Sequence, residues 1–465
     1  MKTKSRFPYL IFLPNVFLIS TGAFLFFVSP KPYNLYITTI MIGSALSVIV
    51  MYNALMTLSL VGIAYPLIFI MKNETIYKAA FGFLLFSSIL TVLRVLIPLR
   101  RNNIRINGFL IPLLMIFLGA VISFIFNQLS SVSIASFYRT NIYIYTIYIC
   151  LFLASMSFFY HRYSSHYIYF TKAFIFSLTI LSILLLIQYF TGIEMVYTFG
   201  TSIENRLRVY SGEGLGSNML TNLYLFALPL LFFQLISTDS QNKQNRLWGL
   251  SILFFNFISF ILLQSRSGYL GFFSGMLLSL IIFKPLKISV KNILILLTIL
   301  IILIATIICL SHAFISNRLD VDRLSKDAVG RSMQRKAVLK IIFNNPMGVN
   351  IEEYNSSIVK YGGAKMSPHN LLLSIALRIG ILGLLGYCSI FIITLLKLFR
   401  TRSAFRKEPF HYVRSAIFAS LIAYFIHNIW HNANYQYELW TFMGIGVALS
   451  TKDDLTGKVM KGVAN

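Results

Sequence analysis

The chain has 465 residues, 57% of them hydrophobic and only 12% charged, with a mean hydropathy of +0.75. A soluble protein carries about a quarter charged residues, so a water-soluble fold is excluded; a β-barrel is excluded too, because its strands would read as short alternating segments. The formal charge of +26 would suggest nucleic acid in a soluble chain, but in a membrane chain the placement of loop Lys and Arg reports topology, and no nucleic-acid partner is expected.

Apolar runs long enough to cross a bilayer, roughly 17–25 residues, recur along the chain. They predict an all-α, polytopic transmembrane bundle with spans near 8–29, 34–52, 54–71, 76–98, 107–127, 138–160, 166–190, 218–237, 247–264, 268–284, 291–311, 369–397, 412–431 and 436–451. The short pairs near Tyr52 and Asn434 leave the total at about 12–14. The N-terminal run has a basic flank but no small-x-small cleavage site, so it reads as an uncleaved first span. With Lys2, Lys4 and Arg6 in the cytoplasm, the basic groups at Arg100, Arg101, Arg105, Arg162, Lys243, Arg246, Lys284, Lys287, Lys397, Arg400 and Lys452 also fall inside. Both termini are then cytoplasmic. Cys150, Cys309 and Cys388 lie in or beside apolar runs and form neither a disulfide framework nor a metal spacing.

Three regions follow: helices over 1–311 with a short outer loop near 191–217, a large extracytoplasmic loop over 312–368, and C-terminal helices with a cytoplasmic tail over 369–465. The large loop contains an amphipathic stretch, Arg331–Phe343, whose Val338, Leu339, Ile342 and Phe343 could lie on the membrane or pack on the bundle. Asn344-Asn345-Pro346-Met347-Gly348 ends it.

Outer loops should be poor in arginine, yet these hold Arg206 and Arg208, Arg266 in a tight turn, and Arg318, Arg323, Arg331 and Arg335. Topology gains nothing from them. A fixed anion explains them, since guanidinium pairs with phosphate oxygens; the alternatives are balance with Asp320, Asp322, Asp327, Glu352 and Glu353, or lipid headgroups. His369 opens a span just after Pro368, and an imidazole titrating near 6.5 can take a proton there. Asn370 reads as its neighbour or as a helix cap. His427 and His431 read as part of an interface belt with Trp430, Tyr437 and Trp440. Arg94, Lys172 and Arg378 are intramembrane charges, candidates by position alone. The sequence carries no phosphate-cradling glycine loop, no zinc spacing, no Ser-His-Asp signature and no paired acidic motif, so neither metal nor cofactor is expected.

Four motifs recur in order on the outer side: RVYSGEGLGSN from Arg208 to Asn218, SRSGYLG around Arg266, GRSMQRKAVLKIIFNNPMGVN in the large loop, and PHNLLL leading into a GLLG helix. Together they resemble the O-antigen polymerase and O-antigen ligase superfamily of bacterial envelopes, over roughly the C-terminal 260 residues. The resemblance implies a multi-pass inner-membrane glycosyltransferase, inverting and metal-independent, with its site on the extracytoplasmic face. It implies an undecaprenyl-pyrophosphate-linked glycan as donor, a lipid-linked acceptor, surrounding membrane lipid, and a chain-length regulator and a flippase as partners. Carried over, Arg208 and Arg266 clamp pyrophosphate and His369 is the general base; Arg206, Arg331, Arg335, Asn218 and Asn370 bind substrate. Where many members carry an aromatic one turn after the loop arginine, this chain has Arg335, so the choice between Arg331 and Arg335 stays open; Arg208 is preferred over Arg206 for its spacing to Gly212. The leading expectation is a polymerase of envelope polysaccharide; the alternatives are the ligase to lipid A–core and a lipid-linked oligosaccharide transporter.

Overall fold

The computed structural model describes residues 107–128, 144–146, 148–149, 152–153, 155–156, 167–191, 217–237, 243–263, 265–283, 321–349, 351–363, 368–401, 410–431 and 438–450. Their order is α1 (Asn107–Gln128), α2 (Tyr167–Thr191), α3 (Ser217–Ser237), α4 (Lys243–Leu262), α5 (Arg266–Phe283), α6 (Val321–Asn344), α7 (Ile351–Lys360), α8 (Leu371–Arg400), α9 (Phe410–Ile429) and α10 (Glu438–Ser450). No strand occurs among the described residues. Among the described residues five helices are long and apolar enough to cross a membrane: Gly108–Phe126, Phe170–Gln188, Arg266–Phe283, Leu371–Arg400 and Tyr412–Ile429. The protein is a polytopic helical membrane protein. The expected spans before residue 100 and at 291–311 lie outside the described residues.

Two helix pairs form the frame, and both depend on small residues that let backbones approach. In the first, Gly271 and Gly275 of α5 lie against the Ala423 and Ala419 carbonyls of α9. In the second, α1 runs antiparallel along α8. A Cβ at Gly119 would meet the Ile379 carbonyl at 2.6 Å, and one at Gly386 the Pro112 carbonyl at 2.6 Å. At the far end Lys397 sits 5.1 Å from the Phe109 ring centroid. Several polar groups inside the bundle are paired across helices: Ser182 donates to Asn256 at 3.0 Å, and Asn428 donates to Asn222 at 2.8 Å. In an apolar surrounding an unpaired amide is costly, so these pairs help fix which helix neighbours which.

α8 is not continuous. Ile379 (φ −126°, ψ 16°) and Gly380 (φ 70°, ψ −179°) leave the helix. The break is filled by the turn that ends α6. Val349 N–H donates to the Leu377 carbonyl at 2.7 Å, and Ile381 N–H donates to the Pro346 carbonyl at 2.9 Å. Ser123 of α1 donates to the Arg378 carbonyl at 2.8 Å. The broken helix thus has partners for its freed backbone, as irregular backbone at membrane depth must. Gly380 has no substitute here: its conformation is almost confined to glycine, and a Cβ would meet the Pro346 carbonyl at 2.7 Å. Gly380→Ala is expected to cost about 1–3 kcal/mol and lower the melting midpoint in detergent. Gly330→Ala, in the α6 interior with no atom within 4 Å of the new methyl, is expected to raise stability by roughly 0.5–1 kcal/mol.

α6 is longer than the sequence pattern predicts, and its buried face differs. Ala337, Val338, Ile341 and Ile342 pack with Leu373, Ala376 and Leu377 of α8, so the bundle takes this face. Leu339 is 42% and Phe343 77% exposed, so two of the four apolar residues expected to act together point elsewhere. The stripe that docks is 337/338/341/342, the i, i+1, i+4, i+5 set of one helix face.

Candidate functional site

Four elements meet at one place: the start of α5, the end of α9, the approach to α8 and the middle of α6. Ser265 caps α5. Its hydroxyl accepts from Gly268 N–H at 3.3 Å and its carbonyl from Tyr269 N–H at 3.0 Å. Arg266 is then the first helical residue and is exposed, at the end of the helix where the peptide dipoles already favour an anion. The next residue, Ser267, is buried and its Oγ lies 2.9 Å from His427 Nδ1. The His427 and His431 rings follow one turn apart, 4.9 Å between centroids.

His369 sits on the segment entering α8. It is the one non-glycine residue with positive φ (45°) among those described, a strained conformation for a residue with a Cβ. The strain is held from both sides. Pro368 before it is buried. Asn370 after it caps α8, accepting from Leu373 N–H at 3.0 Å and donating to the Ile429 carbonyl of α9 at 2.9 Å. Asn370 therefore ties α8 to α9 and sets the direction of the histidine, with both ends of its amide occupied.

Arg331 and Arg335 of α6, one turn apart, both act on His369. Burial first, then the charges of Arg331 and Arg335, hold its imidazole below the usual 6.5. The two arginines are not equivalent. Arg331 is exposed. Arg335 is half-buried, with its Cζ 4.9 Å from the Trp430 ring centroid, an arrangement favourable in itself. Its Nε and Nη2 are buried without a hydrogen-bond partner. Those two N–H groups share one edge of the guanidinium, the edge that binds an oxyanion through two parallel hydrogen bonds. Buried donors are almost always paired, so an unpaired edge held on an aromatic face is a ready seat for an anion. His431 is the third member. Burial first, then His427, Arg331 and His369, push its imidazole down to about 2, and its Nδ1 is also buried without a partner.

Among the expected site residues, His369, Asn370, Arg331 and Arg335 come together here, and Arg266 directly precedes Ser267, whose hydroxyl meets His427. Asn218 is the second residue of α3 and precedes Asn222 by one turn; Asn222 meets α9 at Asn428. Arg206 and Arg208 lie outside the described residues. The belt expected from His427, His431, Trp430, Tyr437 and Trp440 divides; Tyr437 lies outside the described residues. Trp440 is fully buried and stacks on Tyr148 at 5.6 Å, so it belongs to the core and not to a lipid interface. His427 is fully buried as well, hydrogen-bonded across helices. Trp430, 43% exposed, is the platform for Arg335. The spacing of His427 and His431, one helical turn at the end of a span, was the available signal for a paired site; Arg335 on α6 stood out as an outer arginine, but nothing in the sequence tied it to α9. Among the described residues no three His, Cys, Asp or Glu side chains are placed to hold a metal ion.

The chemistry available is two imidazoles biased to the neutral, proton-accepting form, one half-buried cation with a buried, unpaired two-donor edge, and two exposed cations. Residues 251–388, under a third of the chain, match the family model described as O-antigen ligase, a stretch that contains Arg266, Arg331, Arg335, His369 and Asn370. The match supports placing the chain in the O-antigen polymerase and ligase superfamily, membrane enzymes of the glycosyltransferase kind. No curated protein matches the chain at a significant level.

Proposed function

We propose that the protein polymerises envelope polysaccharide from undecaprenyl-pyrophosphate-linked repeat units, as a metal-independent inverting glycosyltransferase on the extracytoplasmic face of the inner membrane, both termini being cytoplasmic. The observation that carries this reading is the unpaired Nε/Nη2 edge of Arg335 next to His369. In the reaction, the acceptor sugar hydroxyl gives its proton to the neutral imidazole of His369. Its oxygen bonds to the anomeric carbon from the face opposite the leaving group. The anomeric C–O bond breaks, and its electron pair leaves with the lipid pyrophosphate. Arg335 takes two phosphate oxygens in its fork, with Arg331, Arg266 and Arg208 adding charge around them. Fixed cations stabilise the developing charge without having to reorganise, and holding both lipid-anchored partners in one cleft supplies orientation. Asn218 is assigned to the same substrate cleft because it stands at the start of α3, one turn before the Asn222 that meets α9 at Asn428.

The ligase is the near alternative, and one experiment separates the two. A deletion strain is profiled for surface glycan beside strains carrying His369→Ala and Arg266→Ala. For a polymerase, glycan collapses to a single repeat unit on its anchor, in the point mutants as in the deletion. Long chains that persist on undecaprenyl pyrophosphate would mark a ligase. Wild-type profiles in the point mutants, against a defective deletion, would overturn the site and favour transport. A transporter reading draws on the broken α8, since broken helices line many transport sites. Here, however, the break is occupied by the protein's own Pro346–Val349 backbone.

A further inference from the structure

The contacts of α6 give it a depth in the membrane. α1 serves as a ruler, because it runs beside α8 and its apolar stretch Gly108–Phe126 matches a bilayer in length. At 1.5 Å per residue, Ser123 lies about 21 Å above Phe109 and about 5 Å short of Phe126. Ser123 contacts the Arg378 carbonyl and the same α8 break that receives the Asn345–Val349 turn; a Cβ at Gly348 would meet Ser123 Oγ at 2.7 Å. The turn therefore lies at a level still inside the apolar band.

Traced back from that turn, α6 climbs beside α8 toward the histidine side, the two helices running parallel. Ala337, Val338, Ile341 and Ile342 share one cluster with Ala376 and Leu377, and higher up α6 the charge of Arg335 acts on His369, just before α8 begins. Ten residues separate Asn345 from Arg335, a rise of about 15 Å. The exposed residues sort by height along this climb. Phe343 and Met347, 77% and 44% exposed, lie at the level of the turn. Lys340 and Lys336, both exposed, lie one and two turns or so above it, with Leu339 between them. Apolar residues at the deep end and lysines at the shallow end form the pattern of a segment entering a bilayer past its phosphates.

We infer that the C-terminal half of α6 and the Asn345–Val349 turn form a re-entrant segment in the leaflet on the histidine side, with Phe343 and Met347 against lipid tails and Lys336 and Lys340 among lipid phosphates. The large loop is thus not wholly aqueous. The segment carries Arg335 out of the membrane at the height of the headgroups. The inference rests on the packing of α6 on α8 and is independent of which reaction the site performs.

Spin labels test it. Cysteine is placed singly at Phe343, Met347, Leu339 and Ser332 in the full chain with Cys150, Cys309 and Cys388 replaced by serine, and the labelled proteins are reconstituted in phosphatidylcholine–phosphatidylglycerol vesicles. Ser332 is exposed, beyond both lysines. Collision with oxygen, which concentrates in hydrocarbon, is compared with collision with a water-soluble nickel chelate. The expected ratio of oxygen to nickel collisions is several-fold higher at 343 and 347 than at 332, with 339 between. Nickel collisions at 343 and 347 equal to those at 332 would overturn the inference and leave this face as an aqueous surface open to a protein partner. All four positions are exposed, so the labels do not displace core side chains, and agreement between 343 and 347 guards against a local distortion at either.

Discussion

Arg335→Ala is expected to lower glycan transfer by about 10²–10³-fold, the usual consequence of removing one fixed donor to developing negative charge. Arg331→Ala is expected to cost less, because Arg331 is exposed to solvent and water screens it. The geometry sharpens the comparison. Only Arg335 has its Nε/Nη2 edge buried, unpaired and braced on Trp430. Lysine keeps the charge but has no fork, so Arg335→Lys should recover little of the lost rate. Trp430→Ala removes the platform and leaves the charge, and should fall between wild type and Arg335→Ala. Single-turnover transfer with a lipid-pyrophosphate donor, together with donor binding, provides the check. If Arg331→Ala proves the more damaging, the anion sits at the exposed arginine and the buried fork serves stability alone.

His369→Ala is expected to reduce transfer by about 10²–10⁴-fold, the range for a positioned base, and pH dependence distinguishes a base from a packing residue. A base must be neutral to act. Burial and the charges of Arg331 and Arg335 all disfavour the imidazolium at His369, so its pKa lies below 6.5 and activity should persist as pH falls through 6.5, declining only at lower pH. Removing one opposing charge reverses part of that shift. In Arg335→Gln the residual activity should therefore show its acid limb displaced upward, toward 6.5, whereas a purely structural arginine would leave the limb where it is. His431 gives the complementary case: held neutral down to about 2, it cannot produce a limb in the accessible range. An acid limb that survives in the residual activity of His369→Ala would assign the titration to another group and remove His369 as the base.

The two halves of the site differ in how much local sequence revealed. His369 stands out because a polar Pro-His-Asn runs directly into a glycine-spotted apolar helix, and Arg266 because a cation occupies a tight turn between two spans. Both anomalies are visible within a few residues. The ranking of Arg331 and Arg335 is not, since the two lie on the same face of one helix and differ only in what packs over them. Trp430 settles that difference from almost a hundred positions away.

The bundle itself was legible because hydropathy is a local property. A run of twenty apolar residues cannot sit in water, and an outer arginine is anomalous wherever its neighbours lie. Fold class, the described spans and the candidate cations all follow from such short-range facts. The break in α8 does not, although Gly380 is plain to see, because a glycine in a helix signals a close approach without naming what approaches. Only the packed structure supplies the Pro346–Val349 backbone, with hydrogen bonds between groups some thirty residues apart. The same holds for Asn370, whose cap is local but whose bond to Ile429 is not, and for Ser267 with His427. These contacts join residues whose separation along the chain carries no periodic signal. They were decided by which helices the small residues allow to meet.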